Sequence, residues 1–219
     1  MSFSRMFHAV ETHSGEPMRV VTGGIPNIPG DSVYEQMKYL EKYDDQFRLL
    51  MLREPRGYPP LCCNLLVPPK NPKADAGFII MEQSEYPVMS GGNTISVATV
   101  LLETGMIPMK EPVTEFTLEA PAGLIGIRAE CHNGKVTGVE FKNVPAFAVY
   151  LDKEIEVPHL GKVVVDVAWG GMFFVIFDVR QFKGLEIKPE NGAEIARIST
   201  MVRKAAQEQL PVAHPDYPG

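Results

Sequence analysis

The sequence predicts an α+β fold in which a β-barrel-like sheet curls around one central helix, and three observations carry that expectation. Residues 95–102 are apolar nearly all round, so a helix there has to lie inside its domain. Strand-like runs flank it on both sides, at 61–67 and 76–81 before it and at 114–120, 124–130 and 135–143 after it. Between the runs stand turn formers, Pro68-Pro69-Lys70-Asn71-Pro72 as a loop and His132-Asn133-Gly134 as a hairpin turn.

Taken in order, residues 5–12 alternate as a strand does and lead into His13-Ser14-Gly15-Glu16-Pro17-Met18-Arg19-Val20-Val21. His13 reads as a structural histidine and Gly15 as a turn residue. Pro26 to Gly30 form a turn cluster, after which Asp31 or Ser32 caps a surface helix running from about Val33 into the fifties, with Val33, Met37, Leu40, Phe47, Leu50 and Met51 on its buried face. Glu54-Pro55-Arg56-Gly57 ends it, and Gly105 stops the central helix. Val157-Pro158-His159-Leu160-Gly161 has the look of a boundary or crossover, giving a first half over 1–157 and a second unit over 158–219. That second unit holds strands at 162–167 and 172–179 and an amphipathic helix over 191–210, with Ile195, Ile198, Met201, Val202 and Ala205 on one face. Gly23-Gly24 and Gly170-Gly171 lack the spacing of phosphate loops and read as tight turns. Trp169, Phe173 and Phe174 suit either an apolar pocket or core packing.

At 219 residues and 45% hydrophobic, the chain has enough material for a sizeable core. A net charge of −6 without a long basic run argues against nucleic acid or an anionic membrane as partner and favours a small metabolite. No apolar run approaches spanning length, and residues 1–6 lack the core of a signal peptide, so a cytoplasmic location is expected. Cys62, Cys63 and Cys131 make no disulfide framework, and no Cys/His cluster has zinc spacing, so no metal site is expected. Cys62 and Cys63 read as buried thiols in a strand.

The chemistry concentrates where a polar turn feeds the central helix, at Met89-Ser90-Gly91-Gly92-Asn93-Thr94-Ile95. A helix start carries unpaired N–H groups and positive partial charge, and the two glycines leave that backbone uncovered. An anion such as a substrate carboxylate fits there. The plainer alternative is a core helix capped by Ser90 or Asn93. Local pattern leaves both open.

The run from Met89 to Ile95 resembles the Met-Cys-Gly-His-Asn-(Ser/Thr)-Ile signature of the proline racemase family, and residues 13–21 resemble that family's opening His-(Thr/Ser)-x-Gly-Glu-Pro-x-Arg-Val-Val. The resemblance extends from about His8 to Pro215. It implies a diaminopimelate-epimerase-like fold of two similar halves, each a barrel-like sheet around a helix, with the substrate held between two helix N-termini. It also implies Cα proton abstraction without metal, flavin or pyridoxal phosphate. By this resemblance Ser90 is the catalytic proton-transfer residue, and Gly91, Gly92 and Asn93 bind substrate.

The sequence departs from the family pattern at three places. Ser90 stands where racemases carry a cysteine, which fits the subgroup acting on hydroxyprolines better than two-thiol proline racemization. The expected reaction is dehydration of trans-3-hydroxy-L-proline, with 4-hydroxyproline 2-epimerase as the close alternative. Gly92 stands where many relatives have histidine, leaving only backbone to donate. The second signature, Asp-Arg-Ser-Pro-Cys-Gly-Thr-Gly, and the late Gly-Ser-x-Phe segment do not occur, so a C-terminally truncated member with an incomplete second half is expected. Two classes of function follow: an enzyme represented by its N-terminal part, or a non-catalytic remnant that binds proline-like acids or assembles through an exposed strand edge, as in a homodimer. Cys62, Cys63 and Cys131 are the thiols that could supply a second acid/base group.

Overall fold

A computed structural model describes residues 6–25 and 27–215. Arg5 and Pro26, the expected starts of the first strand and of a turn cluster, lie outside them. Backbone contacts divide the chain into two compact units, residues 1–144 and 145–219.

The first unit contains β1 (His8–His13), β2 (Pro17–Gly23), α1 (Val33–Tyr43), α2 (Gln46–Leu52), β3 (Cys62–Val67), β4 (Ala76–Met81), α3 (Gly91–Glu103), β5 (Val113–Ala120), β6 (Gly123–His132) and β7 (Lys135–Lys142). Its seven strands form one sheet in sequence order, antiparallel except where β2 meets β3 and β4 meets β5. The central helix α3 packs against β1, β2 and β3 near one end of the sheet and against β6 and β7 at the other. Only a sheet that curls around the helix satisfies both sets of contacts. Eight residues of α3 are buried, Asn93, Thr94 and Ser96 among them, as the all-round apolar pattern requires.

At β3 both faces of the sheet are dry. All six of its residues are buried. Cys63, Leu65 and Val67 join Ile79 and Met81 of β4 in a cluster with Met37 and Leu40 of α1 and Phe47 and Met51 of α2. By the two-residue strand period the alternate face, with Cys62 and Asn64, turns inward to α3. A strand buried on both sides reads as a near-continuous apolar run, and 61–67 reads so apart from Asn64.

The expected single helix from Val33 into the fifties is two helices. α1 ends at Tyr43, and Asp44 adopts φ −143°, ψ 47°. The reason lies in the next residue: the Asp45 carboxylate accepts from Arg48 Nε and Nη2, both at 2.7 Å, and from the Tyr86 hydroxyl at 3.0 Å. Breaking the helix lets α2 bring Arg48 to the loop after β4, a tertiary contact that overrides helical periodicity.

The second unit contains β8 (Phe147–Val157), β9 (Gly161–Trp169), β10 (Phe173–Ile176) and α4 (Gly192–Gln209). The strands form an antiparallel sheet in the order β10-β9-β8, and Ile198, Val202, Ala205 and Ala206 of α4 pack on Ile155, Val157, Val163 and Val165. The stretch 157–161 is a hairpin turn rather than a crossover: Leu160 N–H donates to Val157 O at 3.0 Å, and His159 and Gly161 take φ of 66° and 77°. A boundary at 157/158 would part β8 from the strand it pairs with. β8 joins an apolar run, Phe147 to Leu151, in which Ala148, Val149 and Leu151 are exposed, to a charged stretch from Asp152 to Glu156, so no single burial pattern runs through it.

Candidate active site

The loop from Glu82 to Ser90 connects β4 to α3, and its placement is fixed from outside the sheet. Arg48 Nη1 donates to Glu82 O at 3.0 Å and Gln83 O at 2.6 Å. Gln83 Nε2 donates to Leu52 O, Tyr58 O and Leu61 O. The Arg48 guanidinium beside Asp45 holds that carboxyl below its usual range, and Tyr86 also donates to it. Glu82 is thereby anchored through its own main chain.

Ser90 is the N-cap residue of α3, with extended backbone at φ −148°, ψ 130°, yet its side chain makes no capping bond. The helix begins instead with main-chain and hydroxyl bonds to Ser90 O, from Thr94 N at 3.0 Å and Thr94 Oγ1 at 2.8 Å. Ser90 Oγ accepts a hydrogen bond from Asn93 Nδ2 at 2.9 Å. Its lone pair is engaged by a donor, and its own proton is free to point out of the helix.

Asn93 is fully buried, as is Asn64, whose Nδ2 donates to Asn93 Oδ1 at 2.7 Å. The second N–H of Asn93 faces Glu82 Oε1 at 3.5 Å, a long contact in which charge–dipole attraction outweighs directional bonding. Ser90, Asn93, Asn64 and Glu82 thus form one polar cluster at the base of the helix. The Asn93 side chain addresses Ser90 and the interior, while its backbone stays in the first turn.

The first-turn N–H groups of Gly91, Gly92 and Asn93 have no partner in the helix, and none of the hydrogen bonds among the described residues uses them. A Cβ at Gly91 would stand 3.0 Å from Phe141 Cζ of β7, and one at Gly92 would stand 3.1 Å from Met18 Cε and 3.4 Å from Ser14 Oγ. Both glycines therefore make room for neighbours as well as exposing backbone. Ser14, in the β1–β2 turn, donates to Gly92 O at 2.9 Å and sits 3.0 Å from Ser96 Oγ. His13 is exposed and accepts from Gly15 N at 3.4 Å, a turn contact.

The electrostatics around this start are mixed in sign. The helix end is positive and no acidic residue stands in its first turn. Glu82, half-buried, has its pKa raised by burial first and then by the charges of Glu85 and Glu16. Burial, with Glu82 and Glu16 nearby, pushes the Cys62 thiol up to about 12, against a smaller opposing effect of its hydrogen bond with Asn93. Cys62 is thus a neutral thiol at the edge of the cluster. Cys63 points to the opposite face, where burial also pushes it up to about 12, and Cys131 lies with Thr114 on β5 and β6. No group of three metal-ligating side chains occurs among the described residues.

The structure brings Ser90, Gly91, Gly92 and Asn93 together as one turn and adds three residues that the sequence did not single out for the site: Glu82, Asn64 and Ser14. Two signals were available, a glutamate directly after an apolar strand and an asparagine inside an apolar one, since polar groups in such places need partners. In the second unit Trp169 is buried and stacks on Phe147, whereas Phe174 is exposed beside an apolar groove of about 590 Å³ that also takes in Ile187 and Ile195.

Known proteins share this fold. A hydroxyproline epimerase from Agrobacterium vitis, solved with bound trans-4-hydroxy-L-proline, superposes with a TM-score of 0.93 at 38% identity, over 100% of this chain and 64% of its own. A probable proline racemase from Agrobacterium radiobacter K84, solved with bound carbonate, gives a TM-score of 0.91 at 38% identity, over 97% and 63%. A methylitaconate-delta-isomerase shares the fold, at a TM-score of 0.55 and 13% identity over 96% and 63%. The chain spans less than two thirds of the length of these solved proteins. Its fold is the α+β, diaminopimelate-epimerase-like one that the sequence predicts. The proline racemase profile matches residues 9–219, and the chain belongs to the proline racemase family.

Proposed function

We propose that this chain carries one half of an active site that removes the Cα proton of a hydroxyproline without a cofactor, with Ser90 as the proton-transfer residue. The observation that carries the reading is the state of the Ser90 hydroxyl. It stands at a helix N-terminus, is not spent on capping, and receives an N–H from Asn93. Both features favour negative charge on Oγ, which a serine needs if it is to act as a base. The open N–H groups of Gly91 and Gly92 supply donors for the substrate carboxylate, where charge spreads as the proton leaves. The acidic neighbours Glu82 and Glu16 suit the ammonium end of the same zwitterion.

Dehydration of trans-3-hydroxy-L-proline fits this half-site. The Cα–H bond breaks with its proton passing to the Ser90 oxyanion, and the electron pair forms the Cα–C3 double bond as the C3–O bond breaks, the departing hydroxyl taking that proton from Ser90 to leave as water. The enamine then tautomerizes to the cyclic imine. One base suffices. A second reading, 2-epimerization of 4-hydroxyproline, is favoured by the 38% identity to an epimerase solved with trans-4-hydroxy-L-proline. It requires a second acid/base group on the opposite face of Cα.

The test is Cα proton–deuterium exchange in D2O, followed by NMR with trans-3-hydroxy-L-proline, trans-4-hydroxy-L-proline and proline, on this chain and on Ser90→Ala. Exchange or loss of the 3-hydroxy substrate that disappears in the variant supports dehydration. Inversion of the 4-hydroxy substrate supports the epimerase. Exchange that survives Ser90→Ala overturns the role of Ser90, and no exchange from folded protein favours a chain that only binds or assembles.

A further inference from the structure

We propose that Glu82 is a positioning residue for Ser90, whose charge state sets the orientation of the Asn93 amide and so decides whether Ser90 Oγ receives a proton donor. The inference rests on the reading of Ser90 above. Its basis is the four-residue cluster at the start of α3. An ionised carboxylate can only accept, so while Glu82 is charged Asn93 must turn its N–H2 toward Glu82 and Ser90 and its Oδ1 toward Asn64.

Protonation reverses the constraint. The neutral acid donates, so Asn93 gains a bond by presenting Oδ1 to Glu82. The same turn presents Oδ1 to Ser90, which then spends its own proton on Asn93 and loses the donor that favours an oxyanion. Asn64 accommodates either arrangement, because its Oδ1 is buried without a partner in the present one and can accept from Asn93 Nδ2 in the other. With Asn64 indifferent, Glu82 is the group that selects.

The surroundings move this selection toward higher pH. The groups facing Glu82 are Cys62 of β3, Glu16 of the β1–β2 turn, Glu85 of its own loop, and Arg48 of α2, whose guanidinium binds the Glu82 main-chain carbonyl. Burial and the two carboxylates raise the Glu82 pKa. The Arg48 and Gln83 bonds hold the loop backbone still, so an amide rotation needs no loop movement.

The experiment follows the side-chain N–H2 signals of Asn93 by NMR in the full chain between acid and neutral pH, alongside the Glu82 carboxyl carbon, in the wild type and in Glu82→Gln. The expected result is one shared midpoint above the ordinary carboxylate range in the wild type, and no titration of the Asn93 pair in the variant. An Asn93 pair that stays still while Glu82 titrates, or that titrates equally in Glu82→Gln, overturns the proposal. This readout needs no turnover, so it fails or holds separately from the exchange assay on Ser90→Ala. Where Cα exchange is measured, its acid limb should share that midpoint and disappear in Glu82→Gln. An acid limb identical in both proteins also overturns it.

Discussion

Two helices of the first unit begin with the same residue in the same backbone conformation and use it in opposite ways. Ser32 at the start of α1 and Ser90 at the start of α3 are both N-caps with extended φ and ψ. Ser32 Oγ accepts from Glu35 N at 3.0 Å, and Glu35 Oε2 accepts from Asp31 N at 2.7 Å, a variant of the capping box in which the helix satisfies its own first donors. At α3 the third helical residue is Asn93 instead of a glutamate, and it donates to Ser90 Oγ. The identity of the cap residue does not determine its role. The residue three positions later does, by offering an acceptor carboxylate or a donor amide.

This contrast is open to direct attack. The largest expected effect is on chemistry: Ser90→Ala should lower Cα exchange by roughly 100-fold or more, the usual scale for losing a general base, while Ser32→Ala leaves the rate unchanged. Equal losses in the two variants would erase the distinction. Next, Asn93→Ala removes the donor to Ser90 and strands the buried Nδ2 of Asn64. Exchange should fall and denaturant unfolding should show a cost of about 1–3 kcal/mol, the penalty for an unsatisfied buried polar group. Unchanged stability would mean that Asn64 finds another partner.

Capping gives a smaller effect. Ser32→Ala should destabilise the first unit by about 1 kcal/mol through its lost cap, whereas Ser90→Ala loses no cap and costs stability only through the buried Asn93 N–H left without its acceptor. Calorimetry on both variants checks this. The smallest expected effect concerns Glu82. Its folded-state pKa is raised, so the ionised form lowers stability at pH values above that pKa. The penalty fades as pH falls through the folded-state value and is gone below the unfolded one. Glu82→Gln should therefore melt higher than the wild type at neutral pH and match it in acid. A gap independent of pH would contradict the shift.

Much of this was legible in the sequence because burial leaves a signature. The apolar run of β3, the apolar girdle of α3 and the His132-Asn133-Gly134 turn each report a local physical demand, and the turn takes the positive φ values its residues favour, 52° at Asn133 and 71° at Gly134. The break between α1 and α2 was not legible, because Asp45, Arg48 and Tyr86 meet only in three dimensions. β8 was hidden by its exposure. At the site, the motif marked Ser90 to Asn93, but Asn64 reaches that turn from β3 and Glu82 from the loop after β4, and no spacing rule connects them to it.

The sheet that wraps α3 also has a consequence for how the chain folds. α3 needs contacts from β1 and β2 on one side and β6 and β7 on the other, elements separated by more than a hundred positions in the chain. Such nonlocal contacts close late, because the entropy of the intervening loop is lost before they form. During synthesis α3 stays without part of its cover until Phe141 and the rest of β7 have emerged. Until then its apolar flank is what a chaperone would encounter, and the cradle around Ser90 is among the last parts of the first unit to take shape.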